Sequence, residues 1–314
     1  MRKTIFHEKW WLDAVAPGSW REVVCIRGDQ VVGSLPFEEL SHGGLKVCAM
    51  PQATHVLGPT LEIRPGKAES LARWTQSITN CLLQQVDKYH HVEMILGTEY
   101  ADITPFLHAG FEVKPEPTLL LDCKPPLTEL WAGLRDKTRN VIRRAREQLT
   151  IQCIKDVSQF TRFYEENLED DASYFSLAAS ATATAAACDR KQGKIIAATS
   201  ADGVAHAMVV FLWDDHRVYY YHSSRKKNFA HVGAVSLLLW TGIELAHSRG
   251  LWFDFDAGLT KLSRYKFLIA FGGEIASRHQ VRRSTRIYRV QHGIRRVRRA
   301  VALRLQICGR YPAA

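Results

Sequence analysis

The chain has 314 residues, 46% of them hydrophobic and 24% charged, which is ample for a core without metal or disulfide support and excludes collagen, coiled coil and disorder. Its formal net charge of +10 is lopsided: eleven arginines and no Lys, Asp or Glu lie between Ile275 and Ala314, while the other 274 residues hold 31 basic and 32 acidic groups. A near-neutral body with a cationic end predicts an anionic partner at one place.

In chain order, a short helix is predicted over Glu8–Val15 and strands over Glu22–Ile26 and Val31–Phe37, joined by a Gly28-Asp29 turn. A third strand follows at Leu45–Met50, then a loop over Pro51–Pro59 and a long helix over Glu69–Tyr89. Val92–Leu96 reads as a strand, Ile103–His108 as a short helix, and Gly110-Phe111-Glu112 opens another strand. Leu127–Gln148 is a basic helical run and Val157–Ala187 a second helical region. Strands then come at Lys194–Thr199, Ala205–Trp213 and Val218–His222, a loop at Ser223–His231, and a helix at Ala234–Ser248. Trp252–Phe255 reads as a strand, Arg264–Ile269 as a short helix, and Gly272-Gly273-Glu274 opens the last strand.

The second set repeats the first. Thr54-His-Val-Leu-Gly58 before one long helix echoes Ala230-His-Val-Gly233 before the other, and Phe106–Glu112 echoes Phe267–Glu274. The spacing agrees too, with 34 residues from Val24 to Gly58 and 37 from Ile196 to Gly233, so a duplication is expected. The expected division is a first α/β domain over 1–124, a helical insertion plus second domain over 125–280, and a basic tail over 281–314. In that tail Ile287, Val290, Ile294, Val297, Val301 and Leu305 recur at helical spacing among arginines. Three readings stay open for residues 282–310: an anionic membrane surface, RNA phosphates, or docking on its own domain.

Four segments carry a family resemblance: Pro51…Leu57-Gly58-Pro59; Leu134–Glu147; Phe253-Asp-Phe-Asp-Ala-Gly258; and Tyr265-Lys266…Phe271-Gly272-Gly273. With the doubled element order they resemble the FemX/FemAB-like tandem-GNAT acyltransferases, over about Phe6 to Gln280. That resemblance implies two tandem GNAT-like α/β domains with mixed β-sheets, a helical insertion between them and a basic C-terminal helix. It also implies transfer of an acyl or aminoacyl group onto a primary amine of a cell-envelope glycan, lipid or peptide precursor. The implied co-substrate is an aminoacyl-tRNA or an acyl-CoA, with no tightly bound cofactor. Two alternatives stay open: an acyl-CoA-dependent N-acetyltransferase of polysaccharide biosynthesis, or a non-catalytic binding module on the same fold.

Candidate residues follow. Alternation with Phe253 and Phe255 puts Asp254 and Asp256 on one side of a strand, where a carboxylate pair can take a proton from an attacking amine. By resemblance, Lys266, next to Tyr265, offsets negative charge developing on the carbonyl oxygen or holds donor phosphate. Arg135, Arg139, Arg143 and Arg146 fall at i, i+4, i+8 and i+11, a cationic stripe suited with Lys137 to a diphosphate or nucleic-acid backbone. Asp170, Asp171, Tyr174 and Phe175 join Tyr219–His222 and Arg225 as candidate cleft lining. His231, Gly233 and Ala234 occupy the slot of a donor-phosphate loop at a helix start, without matching the usual coenzyme A pattern.

No Cys/His cluster has metal-ligand spacing, and no GxGxxG, P-loop or GxSxG stands in the body, so neither a metal nor a nucleotide-hydrolysis mechanism is expected. Seven scattered cysteines without a CxxC pair read as small hydrophobes in a reducing compartment. No apolar run reaches the roughly 18 residues of a membrane helix, and the N-terminus turns charged before a signal-peptide core forms. A cytoplasmic protein is expected, peripheral at the inner membrane face if the tail is an anchor.

Overall fold

A computed structural model of the chain describes residues 3–62, 64–168, 177–228, 231–256, 259 and 261–293. The first half comprises α1 (Lys9–Val15), β1 (Trp20–Arg27), β2 (Gln30–His42), β3 (Leu45–Ala49), β4 (Thr60–Leu61), α2 (Ala68–Gln85), β5 (His91–Leu96), α3 (Thr104–His108), β6 (Glu112–Pro115) and β7 (Thr118–Asp122). Next come α4 (Leu127–Gly133), α5 (Asp136–Gln148), β8 (Leu149–Ile154), α6 (Val157–Glu166) and α7 (Leu177–Asp189). The second half continues with β9 (Gly193–Ser200), β10 (Ala205–Trp213), β11 (Arg217–Arg225), α8 (Ala234–Ser248), β12 (Trp252–Asp254), α9 (Leu262–Leu268), β13 (Glu274–Ala276) and β14 (His279–Ser284). A further helix covers 286–293.

Two mixed sheets result, as the sequence predicts. The first runs β1-β2-β3-β5-β14-β6 with β4 on β2, and the second runs β13-β7-β12-β11-β10-β9-β8. Each contains one parallel pair, β3 with β5 and β11 with β12. Six strands of each sheet correspond in order, with β4 and β8 as additions, and the correspondence includes an exchange. β14, from the end of the chain, lies antiparallel between β5 and β6 of the first sheet. β7, from the first half, lies antiparallel between β12 and β13 of the second.

The expected boundaries at 124 and 281 therefore do not divide the sheets. β7 precedes residue 124 yet belongs to the second sheet, where Thr118 and Leu119 are fully buried. β14 spans the start of the expected tail yet completes the first sheet, with Val281 fully buried. Residues 282–284 are accordingly strand, not tail. Arg282 pairs with Glu112 (2.8 Å) and Arg283 with Asp87 (2.6 Å), so part of the terminal charge is spent inside the fold.

The predicted single helix over Leu127–Gln148 breaks at Leu134 and Arg135, both extended, where Arg135 N–H donates to Ala270 O (2.9 Å). α5 packs on α8 with Ile142 and Ala145 fully buried. The halves share a hydrophobic core in which Phe6, Trp11, Val56 and Leu57 meet Phe160, Ala183, Val210 and Tyr221. That shared core places the first half's loop over 51–58 against the second half's sheet.

Candidate active site

The ladder between β11 and β12 lasts only from Arg217 opposite Trp252 to Tyr219 opposite Asp254. Past that point β11 runs on to Arg225, while Phe255 N–H turns to Leu119 O on β7 (3.0 Å). The two strands part, and among the described residues no strand pairs with β11 on that side past Tyr219. The equivalent parting of β3 and β5 is closed by the chain itself. Ile95 N–H donates to Met50 Sδ (3.0 Å), and Leu57 N–H donates to Ile95 O (2.9 Å).

Beside the open parting lies a buried charge cluster. Asp254 Oδ1 accepts from Thr118 Oγ1 (2.7 Å) and Asp256 N–H (2.9 Å), and its Oδ2 accepts from Arg217 Nη1 (3.1 Å). Arg217 also donates to Thr98 Oγ1 (2.7 Å) and pairs with Glu99. Asp256 accepts from Arg278 Nη1 (2.5 Å) on one oxygen and holds His55 Nδ1 on the other. Burial raises the Asp254 pKa, with the Asp256 charge adding to the effect. Burial also opposes ionisation of Asp256, but His55 and Arg278 outweigh it and hold that carboxyl below its ordinary value.

These contacts correct the expected proton-accepting role of the aspartates. The Asp254 and Asp256 side chains are 2% and 1% exposed, and their oxygens are engaged by Arg217, Thr118, Arg278 and His55. They act as counter-ions at the junction of the halves. Sequence reading found the two carboxylates and missed every partner, because His55 lies 201 positions from Asp256 and Arg278 was counted as tail charge.

The other candidates divide. Lys266 is exposed on α9 and Tyr265 half-buried beside it. Arg139 is not available as an anion ligand: it donates to the carbonyls of Ala132 (2.7 Å) and Leu134 (2.9 Å) at the end of α4 and pairs with Asp136. Arg146 pairs with Glu244 on α8 (2.6 Å), so the stripe partly serves to lash helices together. Arg143 lies over the Trp131 ring (5.5 Å) and stays exposed, as does Lys137. Arg225 is exposed at the end of β11. His222, one strand position past Tyr221, sits 5.7 Å from the His55 ring, and burial together with His55 pushes its pKa well below the usual imidazole value. Asp170, Asp171, Tyr174 and Phe175 lie outside the described residues.

His231, Gly233 and Ala234 do meet at the start of α8. Yet Gly233 N–H donates to His231 Nδ1 (3.1 Å) and Ala234 N–H to His231 O (3.0 Å), while His231 Nε2 meets Gln148 Oε1 (2.8 Å). Two of the N–H groups at the start of α8 are thus already taken by the chain. Gly233 has a packing reason as well. A Cβ there would stand 2.8 Å from both Ala145 Cβ and Val141 O on α5.

Comparisons with known proteins agree with this architecture. Residues 132–266 match the acetyltransferase (GNAT) domain family. No curated protein matches the chain in sequence. Among solved structures the chain resembles FemX at a TM-score of 0.63 and 11% identity, covering 88% of this chain and 91% of that one. It also resembles L-PGS from Bacillus licheniformis (TM-score 0.51, 11% identity, 93% and 91% covered). A tandem GNAT protein from the clavulanic acid biosynthesis pathway gives a TM-score of 0.51 at 13% identity, with 87% and 85% covered. Residues 132–266 thus match an acetyltransferase (GNAT) domain, and the chain has the tandem-GNAT fold of these neighbours over most of its length.

Proposed function

We propose that the chain transfers an acyl or aminoacyl group onto a primary amine of a cell-envelope precursor, with the second half carrying the reaction. The asymmetry of the two partings supports this most. Residues 50–57 plug the first, and in the second, inside the GNAT match, β11 beyond Tyr219 has no strand partner on that side among the described residues. The occupied N–H groups at the start of α8 favour an aminoacyl ester such as a charged tRNA over coenzyme A, and exposed Lys137, Arg143 and Arg144 supply cations for its phosphates. Acceptors of the envelope type accord with the resemblance to FemAB-like enzymes.

The C-terminal helix supports a membrane-surface reading. Tyr288 stacks on His91 (4.5 Å, 4°) and docks the helix on the first half. Ile287 and Val290 stay 59% and 63% exposed, with Arg286 and Arg289 exposed beside them. Docking on its own domain therefore uses Tyr288, not the apolar stripe, at these positions. The rest of that stripe, from Ile294 on, lies outside the described residues.

The test is direct. Full-length protein is incubated with charged tRNA or acyl-CoA and a lipid- or glycan-linked amine, and the acceptor is read by mass spectrometry. A gain of one acyl residue supports the proposal. Tight acceptor binding with no turnover from either donor overturns it in favour of a binding module. A rise in melting temperature on adding coenzyme A moves the donor to a thioester.

A further inference from the structure

We propose that His55, carried by the first half, is the group that takes the proton from the attacking amine in the second half's cleft, with Asp256 as its positioning residue. This rests on the reading of the second half as the transferring one.

The loop that carries His55 is held at several points. Trp11 Nε1 donates to Thr54 Oγ1 (3.1 Å), Tyr221 hydroxyl donates to Ala53 O (2.8 Å), and Leu57 N–H bonds Ile95 O (2.9 Å). From Ala53 to Thr60 every residue is buried except His55, whose side chain is 17% exposed. Within that stretch the His55 side chain alone keeps part of its surface exposed. Its ring lies against Phe6 (5.6 Å, 27°) and Tyr221 (4.7 Å, 30°), which fix its plane.

The electronic arrangement matches the placement. Asp256 binds Nδ1, so the neutral ring carries its proton there and presents a lone pair at Nε2. Among the described residues Nε2 has no hydrogen-bond partner. Among the described residues the charged and titratable groups around the ring are Asp256, Arg278 on the far oxygen of that carboxylate, Asp254 behind it, and Tyr221 and His222 from β11. An ionised Asp256 stabilises the imidazolium that forms, while buried His222 stays neutral. Backbone strain marks the same contact. Of three non-glycine residues with positive φ among the described ones, two are Ala53 (66°), on the loop, and Asp256 (42°) itself.

In the step, the neutral amine's lone pair attacks the donor carbonyl carbon and a C–N bond forms. The amine proton goes to His55 Nε2. The C–O bond of an ester, or the C–S bond of a thioester, breaks, and the leaving oxygen or sulfur takes the proton back from His55. The products are an amide and a free alcohol or thiol, with no external reductant or oxidant.

The decisive pair is His55→Asn and His55→Gln. An Asn amide places a donor near the position of Nδ1 and keeps the Asp256 bond without anything at Nε2. A structural role would survive it. H55N is expected to melt like wild type and to lose about 10²- to 10⁴-fold in kcat. H55Q should lose the acid limb of the kcat/KM pH profile, and imidazole should restore part of the rate to His55→Ala. Wild-type transfer with H55N at full rate and an unchanged pH profile overturns the proposal while leaving the function standing. Absence of transfer by wild type from any donor overturns the function itself.

Discussion

Asp256 Oδ1 and Arg278 Nη1 stand 2.5 Å apart, and the contact ties the end of β12 in the second half to the residue that leads into β14 of the first sheet. Both side chains are buried, at 1% and 8% exposure, so neither charge can be rescued by water. Arg278 also donates to Glu116 O (3.4 Å), at the turn between β6 and β7. One guanidinium thus sits where both exchanged strands begin.

Removing that guanidinium leaves a buried carboxylate with one partner fewer. Breaking such a pair costs about 3–5 kcal/mol. Arg278→Met should lower the urea midpoint sharply, and Arg278→Met with Asp256→Asn together should cost less than the sum of the two. Additive losses would mean that the pair is not energetically coupled.

The strand exchange makes a second prediction. β14 pairs from His279 to Ser284 with β5 and from His279 to Arg282 with β6. Deleting 279–314 leaves both neighbours with unpaired backbone groups, each costing about 1–3 kcal/mol where buried. That protein should lose cooperative unfolding of its first half. Deleting 294–314 removes six arginines but no described strand, and should melt as the full chain does. Equal melting of both truncations would refute the exchange.

Local elements were legible where periodicity is local. β10 and α8 match the sequence expectation to the residue, Ala205–Trp213 and Ala234–Ser248. β7 and β14 were not, because a strand's neighbour is not written in its own residues. Thr118–Asp122 pairs with residues more than a hundred positions away, and Val281 is followed by Arg282 and Arg283, which read as the start of a basic tail. The same limit applied to the site: the spacing of Asp254 and Asp256 showed two carboxylates, but their cations arrive from distant parts of the chain. β8 was hidden differently, since Leu149, its first residue, also continues the helical pattern of α5.

Stability should fall as the medium is acidified below neutrality. Burial holds His7 down at about 4, with Lys3 adding to the effect, and burial with His55 also pushes His222 well below the ordinary imidazole value. Unfolded, both rings titrate near about 6.5. Below that pH the unfolded chain binds protons that the folded chain refuses, so unfolding free energy drops by up to about 1.4 kcal/mol per pH unit for each. Asp256, held below its ordinary value, adds a loss at still lower pH. Asp254 opposes it, since a raised carboxyl is protonated first in the folded state and resists the decline in the carboxylate range. Urea midpoints at pH 7.5, 6 and 5 should therefore decrease in that order, and His7→Gln should flatten the slope. A midpoint that is flat from pH 7.5 to 5 would contradict the burial of both rings.

The exposed face of the C-terminal helix can be tested apart from its docked face. Ile287 and Val290 are exposed, so Ile287→Ser with Val290→Ser should leave the melting temperature unchanged. If the face enters an anionic bilayer, each apolar side chain fully buried there contributes about 1.5–3 kcal/mol, and each arginine about 1 kcal/mol. The double variant should then bind phosphatidylglycerol vesicles at least about tenfold more weakly even after partial insertion. Arg286→Ser with Arg289→Ser should weaken binding mainly at low salt, because screening acts within about 10 Å at 0.1 M. The two variants separate the apolar from the electrostatic contribution. Unchanged vesicle binding by both, with tRNA affinity reduced only by the arginine variant, would assign the face to RNA: phosphates need the guanidinium groups and have no use for Ile287 or Val290.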